Sequence, residues 1–213
     1  MLRVTTLCLG AYGENCYILE GRPGDGLLII DPGDDLAQIE RAIGQTGEKP
    51  VALLLTHGHF DHTLAAAPLR DRYGAPVYIH PLDRHMLADP TAAVMDEGAA
   101  RLPFVPIEPD VTYPPQDRFE LSIGAWKVTG LHTPGHTPGG VSLLFEEDGA
   151  LFTGDTLFSY GYGRYDFPGG DVRALMKSIR RLLTLDGDLT VYSGHGEKDT
   201  MARIAARWGV AGA

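Results

Sequence analysis

The stretch Thr56-His57-Gly58-His59-Phe60-Asp61-His62 places three of the chain's eight histidines and an aspartate within seven positions. The apolar run Val51-Ala52-Leu53-Leu54-Leu55 stands immediately before it and reads as a short strand buried on both faces. A fold that accepts this sequence must end a buried strand where imidazoles and a carboxylate gather. Imidazole nitrogen and carboxylate oxygen are donors that Zn²⁺ and similar cations take. A solvated polar loop after a strand has no need of three imidazoles and an acid so close together, so the cluster is read as metal binding.

Three further turns carry the same kind of residue at the end of a predicted strand. They are His132-Thr133-Pro134-Gly135-His136-Thr137, Thr153-Gly154-Asp155-Thr156 and Ser193-Gly194-His195-Gly196. Glycine beside a ligand lets the backbone turn sharply and approach a metal closely. Singly, each turn is structural more often than not. Their recurrence after strands, beside a cluster short of ligands, makes them candidate ligand carriers.

Between these turns, strands are predicted at Val4–Leu9, Cys16–Glu20, Leu27–Ile30, Val51–Leu55 and Val77–Ile79, and then at Phe119–Ser122, Trp126–Thr129, Val141–Phe145, Ala150–Thr153 and Thr190–Tyr192. Leu36, Ile39 and Ile43 mark a helix ending near Gly44, and another runs to about Tyr73 with Pro68 at its start or at a kink. Asp171 is the expected N-cap of a helix striped by Leu175, Ile179 and Leu182, and a last helix lies near Met201–Trp208. Five prolines between Arg101 and Asp117 suit a linker or a long surface loop; the loop is favoured because metal-type residues on both sides must converge. Strands outnumber helices and do not strictly alternate with them. This order predicts an α+β fold of two sheets packed face to face with helices outside, as a single domain over residues 1–213.

Composition narrows the function. With 28 acidic against 18 basic side chains, a net charge of −10 and no basic block, the chain is not expected to bind nucleic acid. No apolar run approaches the ~20 residues of a membrane span. The N-terminus lacks a secretion-signal pattern, so a cytoplasmic protein is expected, with Cys8 and Cys16 kept as buried thiols. His80 and His85 flank Pro81 and Asp83 and are expected on a solvated surface; His132 is read as structural. Asp31, at a strand end, is a candidate to hydrogen-bond a ligand imidazole. Arg164 is expected to clamp an acid such as Asp166, within a Tyr160/Tyr162/Tyr165 loop able to wall a pocket.

The motif order His57-x-His59-x-Asp61-His62, then His136, Asp155 and His195, resembles the metallo-β-lactamase superfamily over about residues 7–200. The resemblance implies an αββα sandwich with its site at one edge between the sheets. It also implies that His57, His59 and His136 hold a first metal and that Asp61, His62 and His195 hold a second, with Asp155 bridging. Lactamases of the best-known dizinc class carry cysteine where Asp155 stands, and flavodiiron proteins carry glutamate where His59 stands. The segment from Gly154-Asp155-Thr156 through Gly163-Arg164-Tyr165-Asp166-Phe167 looks like the glyoxalase II (hydroxyacylglutathione hydrolase) group, in a short form. Persulfide dioxygenases share a similar Gly-Arg-x-Asp-Phe segment. Two-domain glyoxalase II enzymes add a helical glutathione-binding domain after the last histidine, whereas 18 residues follow His195 here.

These features imply hydrolysis of a small-molecule thioester at two divalent cations, zinc by preference with iron or manganese as alternatives, which share and activate a water oriented by Asp61. Two other readings stand beside it. One is an Fe(II) persulfide dioxygenase using His57, His136 and Asp155 around a single ion; the other is a non-catalytic metal-binding protein.

Overall fold

The computed structural model describes residues 2–89, 91 and 104–210. The chain runs β1 (Arg3–Leu9), β2 (Glu14–Glu20), β3 (Leu27–Ile30), α1 (Leu36–Thr46), β4 (Pro50–Leu54), α2 (Ala66–Tyr73), β5 (Val77–Ile79) and β6 (Val111–Thr112). It continues through β7 (Arg118–Ile123), β8 (Trp126–His132), β9 (Val141–Phe145), β10 (Ala150–Gly154), α3 (Val172–Leu182), β11 (Thr190–Ser193), β12 (Asp199–Thr200) and α4 (Met201–Arg207).

The strands form two six-stranded sheets, ordered β1-β2-β3-β4-β5-β6 and β12-β11-β10-β9-β8-β7. Both are mixed: β3 through β6 run parallel in the first, and β10 and β11 run parallel in the second. Period-2 alternation explains how they stack. Tyr17, Leu19, Leu28, Ile30, Ala52 and Leu54 face the other sheet and meet Val128, Leu143, Phe145 and Phe152. Their neighbours Cys16, Ile18, Leu27, Ile29, Leu53 and Leu55 face the opposite way, against Ile39 and Ile43 of α1 and Leu69 of α2. On the far side, Leu175, Ile179 and Leu182 of α3 and Ile204 of α4 cover Leu144, Leu151 and Val191. The result is the expected αββα sandwich, with central strands buried on both faces. Among the described residues, no helix is long and apolar enough to cross a membrane.

Several sequence expectations need correction. Helix α1 continues past Gly44 to Thr46 and stops at Gly47, whose φ of 76° supplies the left-handed cap. Strand β8 extends three residues beyond Thr129, because its ladder with β9 continues to the His132–Val141 pair. The proline-rich segment contributes β6, a two-residue strand parallel to β5 and too short to carry a periodic signal; Arg101–Pro103 of that segment lie outside the described residues. Pro68 sits in the first turn of α2, where its missing N–H has no carbonyl to serve. Cys16 is buried, but Cys8 is exposed: Cys16 pairs in register with Leu7, so alternation turns the two thiols to opposite faces.

His80 is also corrected. It is buried rather than solvated, with its ring stacked on His132 at 4.4 Å between centroids and 7° between planes. Burial, with His132 adding to it, pushes its pKa down to about 4. His132 anchors the pair through Nε2 and the Pro138 carbonyl, 2.9 Å away, which is the structural role expected of it.

Candidate metal centre

Every candidate ligand lies where a strand ends at one edge of the sandwich. In the first sheet, Asp31 follows β3 and His57–His62 follow β4; in the second, His136 follows β8, Asp155 follows β10 and His195 follows β11. Hydrogen bonds across the gap hold the two rims together. Val141 N–H donates to Thr56 O at 2.8 Å, and Asn15 N–H donates to Gly194 O at 2.8 Å. The Asn15 side-chain amide donates to Ser193 O at 3.0 Å and to Gly196 O at 2.8 Å.

The close approach explains two glycines. Gly154 has a φ of 49°, and a Cβ there would collide with the Thr56 hydroxyl; a Cβ at Gly194 would collide with the Asp155 carboxylate.

All seven predicted residues come together. His57, His59 and His136 form one cluster of donor atoms mutually within 4.8 Å, and Asp61, His62 and His195 form another. Asp155 lies between them: Oδ2 is 3.5 Å from His136 Nε2 and 3.6 Å from His195 Nε2, while Oδ1 is 3.5 Å from His62 Nε2. His59 Nδ1 and His136 Nε2 are 2.8 Å apart, and Asp61 Oδ2 is 3.5 Å from His195 Nε2 and 3.7 Å from His62 Nε2. A tetrahedral cation with donors at ~2.0–2.1 Å sets neighbouring donors about 3.3 Å apart, so these spacings suit a pair of ions.

The buried polar atoms make the same point. His57 Nε2, His62 Nε2 and Asp155 Oδ1 are buried with no hydrogen-bond partner among the described residues, a costly state for an atom without a ligand. In His57, His62 and His136 the other ring nitrogen is fixed. His136 Nδ1–H donates to Arg164 O at 2.5 Å, His62 Nδ1–H to Asp31 Oδ2 at 3.1 Å, and His57 Nδ1–H to Thr56 Oγ1 at 3.0 Å. Each bond sets the tautomer that leaves Nε2 as a donor to metal.

Asp31 therefore does what the sequence suggested, and more. It accepts from Thr56 N–H at 2.7 Å and from Thr56 Oγ1–H at 2.6 Å, so it supports His57 through Thr56 as well as His62 directly. Asp31 also clusters with His57 and His62. Its oxygens already accept from Thr56, so we read it as a support rather than a ligand. Its φ of 49° is rare for a residue with a Cβ, and the three contacts hold it there.

Charge is concentrated around the second cluster. Burial opposes protonation of His62, but the carboxylates of Asp61, Asp155 and Asp31 outweigh it and hold the pKa well above the usual imidazole value. For Asp61, burial opposes ionisation, yet His62, His195 and His59 bring its pKa well below the ordinary range. His57 goes the other way: burial, followed by the neighbouring imidazoles, keeps it neutral and ready to bind a cation. Behind His62 lies Glu14, buried, 3.9 Å from Nδ1 and shifted well upward chiefly by its burial.

A cavity of about 290 Å³ opens onto the two clusters, walled by Tyr12, Phe60, Phe158, Tyr162 and Phe167. Arg164 stands at its rim, forked onto Asp166 at 2.9 and 2.8 Å as expected, with its guanidinium 4.2 Å from the Phe167 ring centre. A larger depression of about 540 Å³ around Trp126, Glu120 and Glu146 shares none of these residues. Sequence reasoning missed Asn15, Glu14, Asp83 and most of the aromatic wall, none of which carries a recognisable spacing.

Residues 9–195 match the Metallo-beta-lactamase superfamily. Hydroxyacylglutathione hydrolase GloC of Haemophilus influenzae is 31% identical over 207 residues, covering 95% of this chain and 94% of its own length. The BLEG-1 B3 metallo-beta-lactamase is similar in structure with a TM-score of 0.84 and 36% identity, covering 95% of either chain. TTHA1623 in a di-iron-bound form gives 0.82 and 38%, covering 96% of this chain and 98% of that one. The chain belongs to the metallo-beta-lactamase superfamily and is a metal-dependent hydrolase of that superfamily.

Proposed function

We propose that the chain hydrolyses thioesters at a dinuclear centre. His57, His59 and His136 would hold one cation and Asp61, His62 and His195 the other, with Asp155 placed to serve both. The observation that carries the reading is the position of Asp155, with one carboxylate oxygen facing a nitrogen of each triad at 3.5 Å, at the floor of an aromatic cavity. When bound, two divalent cations, zinc in the first instance, would supply Lewis acidity and lower the pKa of water from 15.7 toward ~7.

The chain's own groups do the rest. Asp61, ionised and facing the cavity beside His195, accepts a hydrogen bond from the attacking water and orients it toward the carbonyl carbon. The hydrogen-bond partners of His57, His62 and His136 keep those rings from turning or changing tautomer during the reaction. The Tyr12, Phe60, Phe158, Tyr162 and Phe167 walls exclude water from the acyl group and favour its apolar part. A thiolate leaves without prior protonation, so this arrangement needs no separate general acid.

The likeness to GloC supports a glutathione thioester as the first substrate to try. The likeness to BLEG-1 favours a second reading, lactam hydrolysis, whose amine leaving group needs a proton as the C–N bond breaks. Purified protein assayed on lactoylglutathione, simpler acyl thioesters and a β-lactam separates the two. Thioester turnover that exceeds lactam turnover supports the proposal; the reverse order replaces it with the second reading.

A further inference from the structure

Asp83 is fully buried and belongs to neither metal cluster. It sits just after β5, in the turn that follows His80. Its Oδ2 accepts from Gly58 N–H at 3.2 Å and from Thr137 Oγ1–H at 2.6 Å, and its Oδ1 accepts from Gly139 N–H at 2.6 Å. Gly58 lies between His57 and His59, and Thr137 follows His136. One carboxylate thus ties together the two loops, one from each sheet, that present all three histidines of the first cluster.

The backbone is shaped to allow this. A Cβ on Gly139 would lie 2.6 Å from Asp83 Oδ1, and a Cβ on Gly58 would lie 2.9 Å from the Asp83 carbonyl. Only glycine lets both loops close on the carboxylate. The second cluster is held by other means: His62 by Asp31, and the His195 turn by Asn15. Among the described residues, Asp83 has no hydrogen bond to Asp61, His62, Asp31, Asn15 or the Ser193–Gly196 turn.

We propose that Asp83 is a positioning residue for the first metal alone. It fixes the spacing of His57, His59 and His136 across the gap between the sheets without touching the ion. Losing an outer hydrogen bond of this kind lowers metal affinity by roughly 10–100-fold. The second ion is spared because His62, although on the same loop as His57 and His59, is fixed directly by Asp31, and the His195 turn is fixed by Asn15. The inference rests on the reading of the centre as dinuclear.

The test titrates metal-free protein with Co²⁺ against a chelator, following visible absorption, with His136→Ala and His195→Ala identifying the first and second binding steps. In Asp83→Asn, the amide retains an acceptor for Gly139 but turns a donor toward Gly58. The first step should weaken roughly 10–100-fold, and the second should hold within about twofold. Thr137→Val, which removes one donor and leaves the carboxylate in place, should shift the first step in the same direction by less. Thermal unfolding shows that each variant is folded. Equal weakening of both steps, or no weakening of the first, overturns the inference. Wild-type protein that takes up a single Co²⁺ overturns the dinuclear reading instead, and the inference with it.

Discussion

Asp31→Asn is the substitution whose consequences follow most closely from the hydrogen bonds. The carboxylate takes three donors: Thr56 N–H, Thr56 Oγ1–H and His62 Nδ1–H. An asparagine oriented to accept from Thr56 N–H turns its NH₂ toward the other two. It then donates to Thr56 Oγ1, whose own proton turns toward His57 Nδ1, and it presses an N–H against His62 Nδ1. Both imidazoles must exchange tautomers, which places a proton on each Nε2 where the metal would bind. The flipped amide sets its NH₂ against Thr56 N–H and is no better. Each metal should therefore bind about 10–100-fold more weakly, equivalent to ~1.4–2.7 kcal/mol per site. In metal-free protein, the loss of a charge-assisted bond costs ~1.5–3 kcal/mol, or roughly 3–12 °C in Tm for a chain of this size. Asp31→Ala should be worse by about 1 kcal/mol, because alanine tolerates the left-handed φ of 49° less well than asparagine. Chelator competition on loaded protein and thermal unfolding of metal-free protein measure the two effects. An Asp31→Asn protein that keeps both metals at wild-type affinity refutes the tautomer argument.

Asp155→Ala takes a shared ligand from both clusters, so metal content measured by mass spectrometry should fall and turnover should drop with it; unchanged values for both remove Asp155 from the centre. The raised pKa of His62, held up by Asp61, Asp155 and Asp31 against its burial, means that a cation must expel a proton to bind there. Apparent affinity should accordingly fall as pH drops below that raised pKa, by about tenfold per unit, and a flat titration profile would exclude His62 as a ligand. Phe152→Ala empties the middle of the inter-sheet core, where the ring stacks on Tyr192 at 4.8 Å and meets Tyr17 and Phe145 edge-on. It should cost ~3–5 kcal/mol, and a Tm shift below about 6 °C contradicts that packing.

The centre was largely legible because its chemistry restricts residue type. Few side chains bind such cations, and His57, His59, His62, His136, Asp155 and His195 stand beside or near glycines at strand ends, where each signal reinforces the others. The layers were legible for a similar reason: strands such as Leu27–Ile30 are apolar throughout and need a cover on both faces. What escaped was whatever depends on contacts between distant segments. Asp83 and Asn15 look like ordinary loop polar residues, and only the folded chain brings Asp83 to Thr137, 54 residues away, and Asn15 to Ser193, 178 away. His80 was misread because Pro81 and Asp83 suggest a polar surface, while its real neighbour, the His132 ring, comes from the other sheet. Strands β6 and β12, two residues each, span a single repeat of the alternation, too little to reveal them.

The most direct test counts metal per chain and measures lactoylglutathione hydrolysis on the same preparation, before and after chelation, with oxygen uptake on a persulfide as the counter-assay. Two divalent ions per chain, thioester turnover that disappears on chelation and returns with metal, and no oxygen uptake are expected. One iron per chain with oxygen consumed and no thioester cleaved contradicts the dinuclear thioesterase reading.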